Sequence, residues 1–177
     1  MLKDLLDERK CFKLVCGAGN EDESEVERLV KLYSYAGCKF FDLSAKPEII
    51  EAAKRGLQNR EGYLCVSIGI KGDPHIRKAQ IDGEKCKKCY KCEKICPQKT
   101  IYNFNVKPER CIGCGRCYSV CTQDAIFFVS KNKDLREVLP PLIEKGIDCI
   151  ELHAMNEDDA YIYENWDYIN SIYDGKI

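Results

Sequence analysis

Two runs of cysteines account for most of the chemistry that this sequence can perform. The 177-residue chain contains 13 cysteines, and eight of them fall into two segments of identical spacing, C-x2-C-x2-C-x3-C. The second segment repeats the first at an offset of 25 residues. The runs consist of Cys86, Cys89, Cys92 and Cys96, and of Cys111, Cys114, Cys117 and Cys121. This spacing is typical of chains that bind 4Fe–4S clusters through thiolates.

The repeat predicts two 4Fe–4S clusters with crossed ligation. Two-residue gaps fold the chain around a cubane so that three thiolates converge on it, and the fourth cysteine of such a run ligates the other cluster. We expect that fourth cysteine to begin a helix that crosses to the sister cluster. The predicted ligand sets are Cys86, Cys89, Cys92 and Cys121 for the first cluster, and Cys111, Cys114, Cys117 and Cys96 for the second. Gly113 and Gly115 let the backbone approach the second cluster closely. Thr122 replaces the proline that commonly follows the fourth cysteine, and this replacement removes no ligand.

Zinc is the alternative metal, because C-x2-C pairs also bind it. Zinc sites usually combine two such pairs across a gap, whereas here four cysteines follow one another in each run. Iron–sulfur ligation therefore explains the spacing better. Such clusters have potentials from about −700 to +450 mV, so the pattern indicates redox chemistry without indicating a potential.

The overall composition is that of a protein from a reducing compartment. Apolar residues make up 45% of the chain and charged residues 32%, which is enough to bury a core. The charged N-terminus lacks the apolar segment of a signal peptide, and no apolar run approaches the ~20 residues that span a bilayer. We therefore expect a cytoplasmic protein without membrane contact, in which clustered cysteines bind metal rather than form disulfides.

Charge is distributed unevenly although the net charge is only −1. Residues 75–99 include eight Lys or Arg and three acidic residues, whereas residues 131–177 include five basic and eleven acidic residues. The simplest interpretation is a pair of solvated faces. Alternatively, the basic segment docks an acidic protein redox partner or tunes the potential of the adjacent cluster. We expect no nucleic-acid partner, and the oligomeric state is not indicated.

Outside the cysteine runs, short apolar runs predict four buried strands that alternate with helices. The strands are predicted over residues 12–16, 39–43, 63–68 and 148–152. The helices are predicted over residues 24–36, 47–56, 134–145 and 157–173. Ser24 and Glu27 are spaced as a capping box for the first helix. Pro140 and Pro141 should bend or interrupt the third helix.

This alternation predicts an α/β fold with a buried parallel sheet. Helices that end in glycine and lead directly into the next strand favour a (β/α) barrel, with a doubly wound sheet as the alternative. Four βα units are present against the eight of a closed barrel. We therefore predict a partial barrel-like sheet over residues 1–74 and 131–177, with an inserted ferredoxin-type module at 75–130. The second part would be truncated, and residues 176–177 could begin a fifth strand.

A second candidate site lies at the predicted carboxyl ends of the strands, the edge where βα folds bind ligands. Its residues are Gly17, Gly19, Asp42, Ser44, Ser67, Gly69, Glu151 and His153. Among these, Asp42, Glu151 and His153 are the candidate catalytic residues, although such residues also cap helices. The segment 17–19 lacks the third glycine of a dinucleotide fingerprint, whereas flavin requires no such motif. The remaining cysteines should be small buried hydrophobes; they are Cys11, Cys16, Cys38, Cys65 and Cys149.

Four segments that precede the cysteine runs carry a resemblance to a known family. They are Phe12-Lys-Leu-Val-Cys-Gly-Ala18, Ala36-Gly-Cys-Lys-Phe-Phe-Asp-Leu-Ser-Ala45, Pro47-Glu-Ile-Ile-Glu-Ala-Ala53 and Leu64-Cys-Val-Ser-Ile68. Together with the cysteine runs, they resemble the cyanobacterial light-dependent period protein family, LdpA. The resemblance implies a barrel-like half with a ferredoxin domain that carries two 4Fe–4S clusters, and in cyanobacteria a redox input to the circadian clock. Relatives without a clock share the layout, so the eight ligands transfer by position and the clock role does not.

Two functions of different class follow from these patterns. In the first, the protein is an electron carrier or redox sensor whose clusters exchange electrons with a protein partner, and the βα part is a scaffold or sensor body. In the second, the protein is an iron–sulfur oxidoreductase whose strand-end active site receives electrons from the module. Because the acid–base candidates are so few, we prefer the first function and keep catalysis as the alternative.

Overall fold

The computed structural model describes residues 2–17, 19–69, 77–130, 134–154 and 158–175. The helices are α1 (Leu2–Asp7), α2 (Glu23–Tyr35), α3 (Pro47–Leu57), α4 (Lys91–Ile95), α5 (Arg116–Ser119), α6 (Leu135–Glu144) and α7 (Asp159–Ile172). The strands are β1 (Lys13–Val15), β2 (Phe40–Ser44), β3 (Tyr63–Gly69), β4 (Arg77–Ile81), β5 (Ile101–Tyr102), β6 (Asn105–Val106), β7 (Ile126–Ser130) and β8 (Cys149–His153). None of these helices combines the length and apolar character that crossing a membrane requires.

Four strands form one parallel sheet in the order β1-β2-β3-β8. They are the four strands that the sequence predicts, each displaced by at most one or two residues. In the register of the sheet, Asp42 lies opposite Cys65, and Cys65 lies opposite Cys149. The strand order follows the chain, and within the described residues the sheet is open, with β1 and β8 at its edges.

Helices α2, α3, α6 and α7 all cover one face of this sheet. Alternate strand residues on that face form the core with apolar side chains of α2, α3, α6 and α7. The strand residues are Phe41, Leu43, Leu64, Val66, Ile68 and Ile150, and the helix residues include Val26, Val30, Ile49, Ile50, Leu139, Leu142 and Ile169. A doubly wound sheet carries helices on both faces. In the described part of the chain, the other face contacts only the six-residue helix α1.

The opposite face of the sheet contacts α1 at its amino-terminal end. Leu2 is buried there with Phe40 and Cys65, beside Tyr63 and Cys149. Helix α1 is not among the helices predicted from the sequence; it is only six residues long, and Leu2 is its buried residue. The carboxyl-terminal end of the same face carries polar side chains instead.

Two details of the helices differ from the sequence prediction. Asp22, not Ser24, caps α2, and its carboxylate accepts a hydrogen bond from the Glu25 amide at 3.0 Å. Helix α6 is not interrupted at Pro140 and Pro141. The prolines remove hydrogen bonds to carbonyls near the start of the helix, where Arg136 is exposed and water can solvate them.

The cysteine runs lie in a separate layer of structure, which the chain enters after β3 and leaves before β8. Here β4 pairs antiparallel with β7, and β5 pairs antiparallel with β6. This layer has its own small core, formed by Ala79, Ile101, Cys111, Cys117 and Ile126. The boundaries predicted at residues 74–75 and 130–131 adjoin or fall within segments outside the described residues, as do residues 176–177.

Each cysteine run contains a short helix, but the helix precedes the fourth cysteine instead of following it. Helix α4 contains Cys92 and ends at Cys96, whose backbone is extended. Helix α5 contains Cys117 and ends before Cys121. The prediction that the fourth cysteine begins a helix is therefore wrong. Pro97 disfavours helical geometry at the preceding residue, which turns the chain at Cys96.

Candidate functional site

The eight cysteines of the two runs line two separate cavities. One cavity of about 380 Å³, which includes space open to solvent, is lined by Cys86, Cys89, Cys92 and Cys121. We call it the first cavity. The second cavity, of about 340 Å³, is lined by Cys96, Cys111, Cys114 and Cys117. These are the two sets of four that the sequence analysis assigns to the two clusters, and ligation itself stays a prediction.

The donor set of both cavities fits an iron–sulfur cluster. The rest of each lining is largely apolar and includes no histidine or carboxylate: Ala79, Ile101 and Phe128 line the second cavity, and Ile81, Phe104 and Ile126 the first. Four thiolates in an apolar shell are what 4Fe–4S clusters require. Cys117 is buried, and burial raises the pKa of its thiol to about 11. A metal centre must therefore displace a proton there at neutral pH.

The sulfur atoms of each cavity lie farther apart than the ligands of a bound zinc ion. Four thiolates around Zn²⁺, with bonds of about 2.3 Å in a tetrahedron, place their sulfurs about 3.8 Å apart. Within the described residues, the one trio of His, Cys, Asp or Glu ligand atoms that all lie within 4.8 Å of one another is Asp42, Cys65 and Glu151. No three cysteines of either cavity meet that distance.

The 25-residue repeat of the sequence is also a repeat of the backbone. Left-handed φ angles recur at equivalent positions in the two runs, namely Lys88 and Gly113, Tyr90 and Gly115, and Lys99 and Asp124. Only the second run has glycine at any of these positions. The turns around the two cavities therefore share one geometry although their residues differ.

Backbone amides point at two sulfur atoms of the second cavity. The Ala79 amide lies 3.4 Å from Sγ of Cys111, and the Thr100 amide lies 3.4 Å from Sγ of Cys96. Hydrogen bonds to cluster sulfurs stabilise the more negative, reduced state and so raise the potential. The second cavity thus has donors that would tune a bound cluster.

The first cavity opens onto a basic surface. Cys89 is exposed, and the surrounding lysines are exposed as well; they are Lys85, Lys87, Lys88, Lys91 and Lys94. Lys88 places its ammonium 5.9 Å from the ring centre of Phe104, which lines the cavity. We call these five lysines the lysine rim. His75, at the start of the basic segment, lies outside the described residues.

The second cavity, in contrast, is joined to the parallel sheet. Lys78 donates hydrogen bonds to the carbonyl of Gly19, at 2.6 Å, and to the carbonyl of Cys111, at 2.8 Å. The Glu21 amide donates to the carbonyl of Glu109 at 2.6 Å. These contacts join the segment that leads into the second cysteine run to residues 19–22, which follow β1 at the carboxyl edge of the sheet. We call residues 19–22 the edge loop. The sequence analysis included Gly19 but missed Lys78, which is one basic residue among many.

Comparison with known proteins now assigns the cysteine-containing layer to a family. The sequence profile described as the LdpA Fe-S cluster-binding domain matches residues 76–132. Light dependent period A of Synechococcus elongatus is 31% identical over 164 residues, which are 88% of this chain and 47% of that protein. The chain belongs to the LdpA-like family. It spans about half the length of that relative. No solved structure is similar enough to count as a match.

The LdpA-like chain therefore contains an iron–sulfur cluster-binding domain, as the cysteine spacing predicts. The family profile covers the described residues of the cysteine-containing layer and both cavities. This agreement supports an iron–sulfur cofactor and metal binding through thiolates.

A polar network occupies the other face of the LdpA-like sheet. Lys13 lies between two carboxylates: its ammonium is 3.3 Å from Oδ2 of Asp42 and forms an ion pair with Glu151. Ser67 donates a hydrogen bond to the other oxygen of Asp42. His153 Nε2 lies 2.9 Å from Oε1 of Glu151. The structure thus joins all three predicted catalytic candidates into one network, in which the sequence analysis missed Lys13.

Electrostatics keep Lys13 and Glu151 of this network charged. Burial raises the pKa of the Asp42 carboxyl, although Ser67 and Lys13 act against that shift. Burial lowers the pKa of Lys13, but its hydrogen bond to Glu151 and the charge of Asp42 outweigh this effect and leave the pKa raised. The pKa of Glu151 is lowered in spite of burial, because Lys13 and His153 donate to it. Lys13 and Glu151 therefore form a charged pair at neutral pH.

The other strand-end candidates lie in the turn after β1 and at the ends of strands β2 and β3. Gly17 adopts φ +106° in the turn after β1 and accepts a hydrogen bond from the Asn20 amide. Ser44 is buried at the end of β2, and Gly69 ends β3 opposite His153. Of the five remaining cysteines, Cys16, Cys38 and Cys65 are buried, as expected for small hydrophobes, whereas Cys11 and Cys149 are half-buried.

Proposed function

We propose that this chain is an electron carrier or redox sensor that uses two 4Fe–4S clusters in a ferredoxin-type module. The observation that carries the proposal is the pair of cavities, each lined by four cysteines whose sulfurs lie farther apart than the ligands of a bound zinc ion. Cys86, Cys89, Cys92 and Cys121 would hold one cluster, and Cys96, Cys111, Cys114 and Cys117 the other. When bound, each cluster would accept and release one electron.

The βα part is, in this proposal, a portion of a (β/α) barrel into which the module is inserted. A sequential strand order and helices on one face are properties of such barrels. Both β1 and β8 have an unpaired edge within the described residues, where further strands of a longer chain could add. The relative's greater length is consistent with this.

The two cavities suggest different roles for the two clusters. Each cavity has an exposed cysteine, Cys89 in the first and Cys114 in the second, but the first is the one beside the lysine rim, which suits electron exchange with an acidic protein partner. The second cavity is linked to the edge loop through Lys78. Electrons would therefore enter or leave at the first cluster, and the second would lie closer to the βα body. A reducing cytoplasm suits both sets of thiolates.

Anaerobic purification followed by metal and sulfide analysis tests this proposal. We expect about eight irons and eight acid-labile sulfides per chain, from two clusters of four each. Reduction with dithionite should give the electron paramagnetic resonance signals of reduced 4Fe–4S clusters. A colourless protein with stoichiometric zinc after anaerobic expression would contradict the proposal.

An iron–sulfur oxidoreductase is the second candidate, favoured by the polar network around Lys13. A charged lysine between two carboxylates, with serine and histidine beside them, could position a substrate and move protons. If this function is correct, a substrate or flavin should bind to the sheet, and Lys13→Met should weaken that binding while leaving iron content unchanged. Titration of the wild type and the variant with flavin mononucleotide is the first measurement. Absence of any difference in affinity would remove flavin from this site.

A further inference from the structure

Lys78 is the side chain that joins the second cysteine run to the sheet. Its ammonium bonds at once to the carbonyl of Cys111, a predicted cluster ligand, and to the carbonyl of Gly19 in the edge loop. The neighbouring residue strengthens the connection, since the Ala79 amide is 3.4 Å from the Cys111 sulfur. Strand β4 therefore makes two contacts with Cys111. The Ala79 amide faces its sulfur, and the Lys78 ammonium donates to its carbonyl.

The edge loop is in turn connected to the polar face of the sheet. Asn20 Nδ2 donates to the carbonyl of Cys16 at 3.2 Å, and the Cys16 amide donates to the carbonyl of Asp42 at 2.9 Å. At its other end, Asp22 caps α2 and lies 3.7 Å from Arg110. A displacement of the edge loop would therefore alter the hydrogen bonds at the start of α2 and those that lead to the backbone of Asp42.

We propose that Lys78 is a positioning residue that couples the oxidation state of a cluster in the second cavity to the edge loop. This inference rests on the proposed two-cluster function. Reduction adds one electron, and thus one negative charge, to the cluster and its thiolates. The half-buried Lys78 ammonium is then attracted more strongly toward Cys111, at the expense of its hydrogen bond to Gly19. Coupling of this kind is reciprocal, so the contact also favours the reduced cluster.

Amide hydrogen exchange of the full chain tests this proposal directly. The Glu21 amide, which donates to the Glu109 carbonyl, reports on the attachment of the edge loop. In the wild type, exchange at residues 19–22 should be faster after reduction with dithionite than in the oxidised protein. In Lys78→Met, exchange should be fast in both states, so that the redox-dependent difference is lost. Lys78→Arg retains the charge and should retain the difference.

A redox titration followed by electron paramagnetic resonance provides the second measurement. Loss of the Lys78 charge should move the midpoint potential of the second cluster to a more negative value, without moving that of the first. Lys85→Met is the matched control, since it removes an exposed lysine beside the first cavity. It should leave both the potential of the second cluster and the exchange of the edge loop unchanged.

Two outcomes would overturn the coupling. In one, the wild-type edge loop exchanges equally fast in both oxidation states, which is decisive even if Lys78→Met fails to fold. In the other, Lys78→Met folds, binds iron and keeps the wild-type difference between states. Failure of the proposed function would be recognised separately, because the wild-type protein would then lack iron and sulfide before any exchange is measured.

Discussion

Lys88 and Gly113 occupy equivalent positions in the two cysteine runs, 25 residues apart, and share a left-handed backbone with φ angles of 53° and 65°. A residue with a Cβ atom in this conformation is destabilised by about 1–2 kcal/mol. The first run contains this unfavourable conformation at Lys88, whereas the second avoids the cost with glycine. The turn geometry around the cavities is thus retained even where the residue type opposes it.

Substitution of Gly113 by alanine should therefore destabilise the second run. The added Cβ introduces a cost of about 1–2 kcal/mol, which for a chain of this size lowers the melting temperature by a few degrees, about 2–4 °C per kcal/mol. Lys88→Ala is the control, because its position already has a Cβ and loses only a cation–π contact of about 0.5–1 kcal/mol. Thermal unfolding under anaerobic conditions is the measurement. Equal or larger destabilisation by Lys88→Ala would contradict the argument.

Cys96→Ala should damage the cluster in the second cavity although Cys96 belongs to the first run. The reason is that Cys96 lines the same cavity as Cys111, Cys114 and Cys117. Cys121→Ala is the reciprocal variant and should damage the cluster in the first cavity. Electron paramagnetic resonance and iron content of both variants distinguish the two sites. If each variant instead lost the cluster of its own run, crossed ligation would be refuted.

Replacing three lysines of the rim by glutamate should slow electron exchange with an acidic partner. The substitutions are Lys87→Glu, Lys88→Glu and Lys91→Glu. Exposed charges like these contribute little to folding but steer association. Iron content should stay unchanged, and the dependence of the rate on salt should flatten. Stopped-flow reduction by an acidic flavodoxin at low and high ionic strength is the measurement.

A second triple variant controls for net charge in that experiment. It replaces Lys3, Lys10 and Lys31 by glutamate. These lysines are exposed and lie in or near α1 and α2, so the net charge changes by the same amount but away from the lysine rim. It should leave the rate nearly unchanged. If both triple variants slowed exchange equally, or neither did, the lysine rim would be a solvated surface without a docking role.

Asp42→Asn and Asp82→Asn should change stability with pH in opposite directions. Burial raises the pKa of Asp42 in the folded protein, so its carboxyl destabilises the fold progressively as pH rises above the unfolded value of about 4. The stability of Asp42→Asn relative to wild type should therefore increase from about pH 4 toward neutrality.

Asp82 provides the opposite case. Backbone hydrogen bonds from Glu84 and Lys85 lower the pKa of Asp82, so its stabilising contribution is present above the unfolded pKa and is lost as pH falls through the folded value. Asp82→Asn should therefore lose stability relative to wild type at neutral pH and approach it in acid. Melting temperatures of the three proteins across this pH range test both signs. Parallel trends for the two variants would show that local burial and hydrogen bonding do not control them.

Gly56→Ala should destabilise the packing of α3 on α2. A Cβ at Gly56 would lie 2.5 Å from the carbonyl oxygen of Glu27 and 3.0 Å from Cβ of Val30, so the helices must move apart. Overpacking of this kind typically costs about 1–3 kcal/mol. At Gly83, where nothing lies within 4 Å, alanine should be neutral or slightly stabilising. Thermal unfolding of both variants is the measurement, and equal melting temperatures would contradict close helix packing at Gly56.

Much of the fold was predictable because the responsible signals are local. Apolar runs located the four parallel strands, and Pro47 and Gly37 located the start of α3 and the end of α2. The cysteine spacing predicted an iron–sulfur domain, which the family comparison supports. The 25-residue repeat of the sequence recurs in the left-handed positions of the backbone, since equivalent turns require equivalent dihedral angles.

Other features depend on contacts between residues far apart in the chain, and only the tertiary structure decided them. Lys13 looked like one charge in a short strand until the sheet brought it between Asp42 and Glu151. Lys78 looked like one of many basic residues until it bridged Cys111 and Gly19. The local sequence pattern cannot reveal such partners, because the register of the strands and the placement of the helices decide which side chains meet. The sequence by itself therefore predicted which thiols bind a cluster, because ligand spacing is a local property, and the tertiary structure decided which of the two cavities is connected to the sheet.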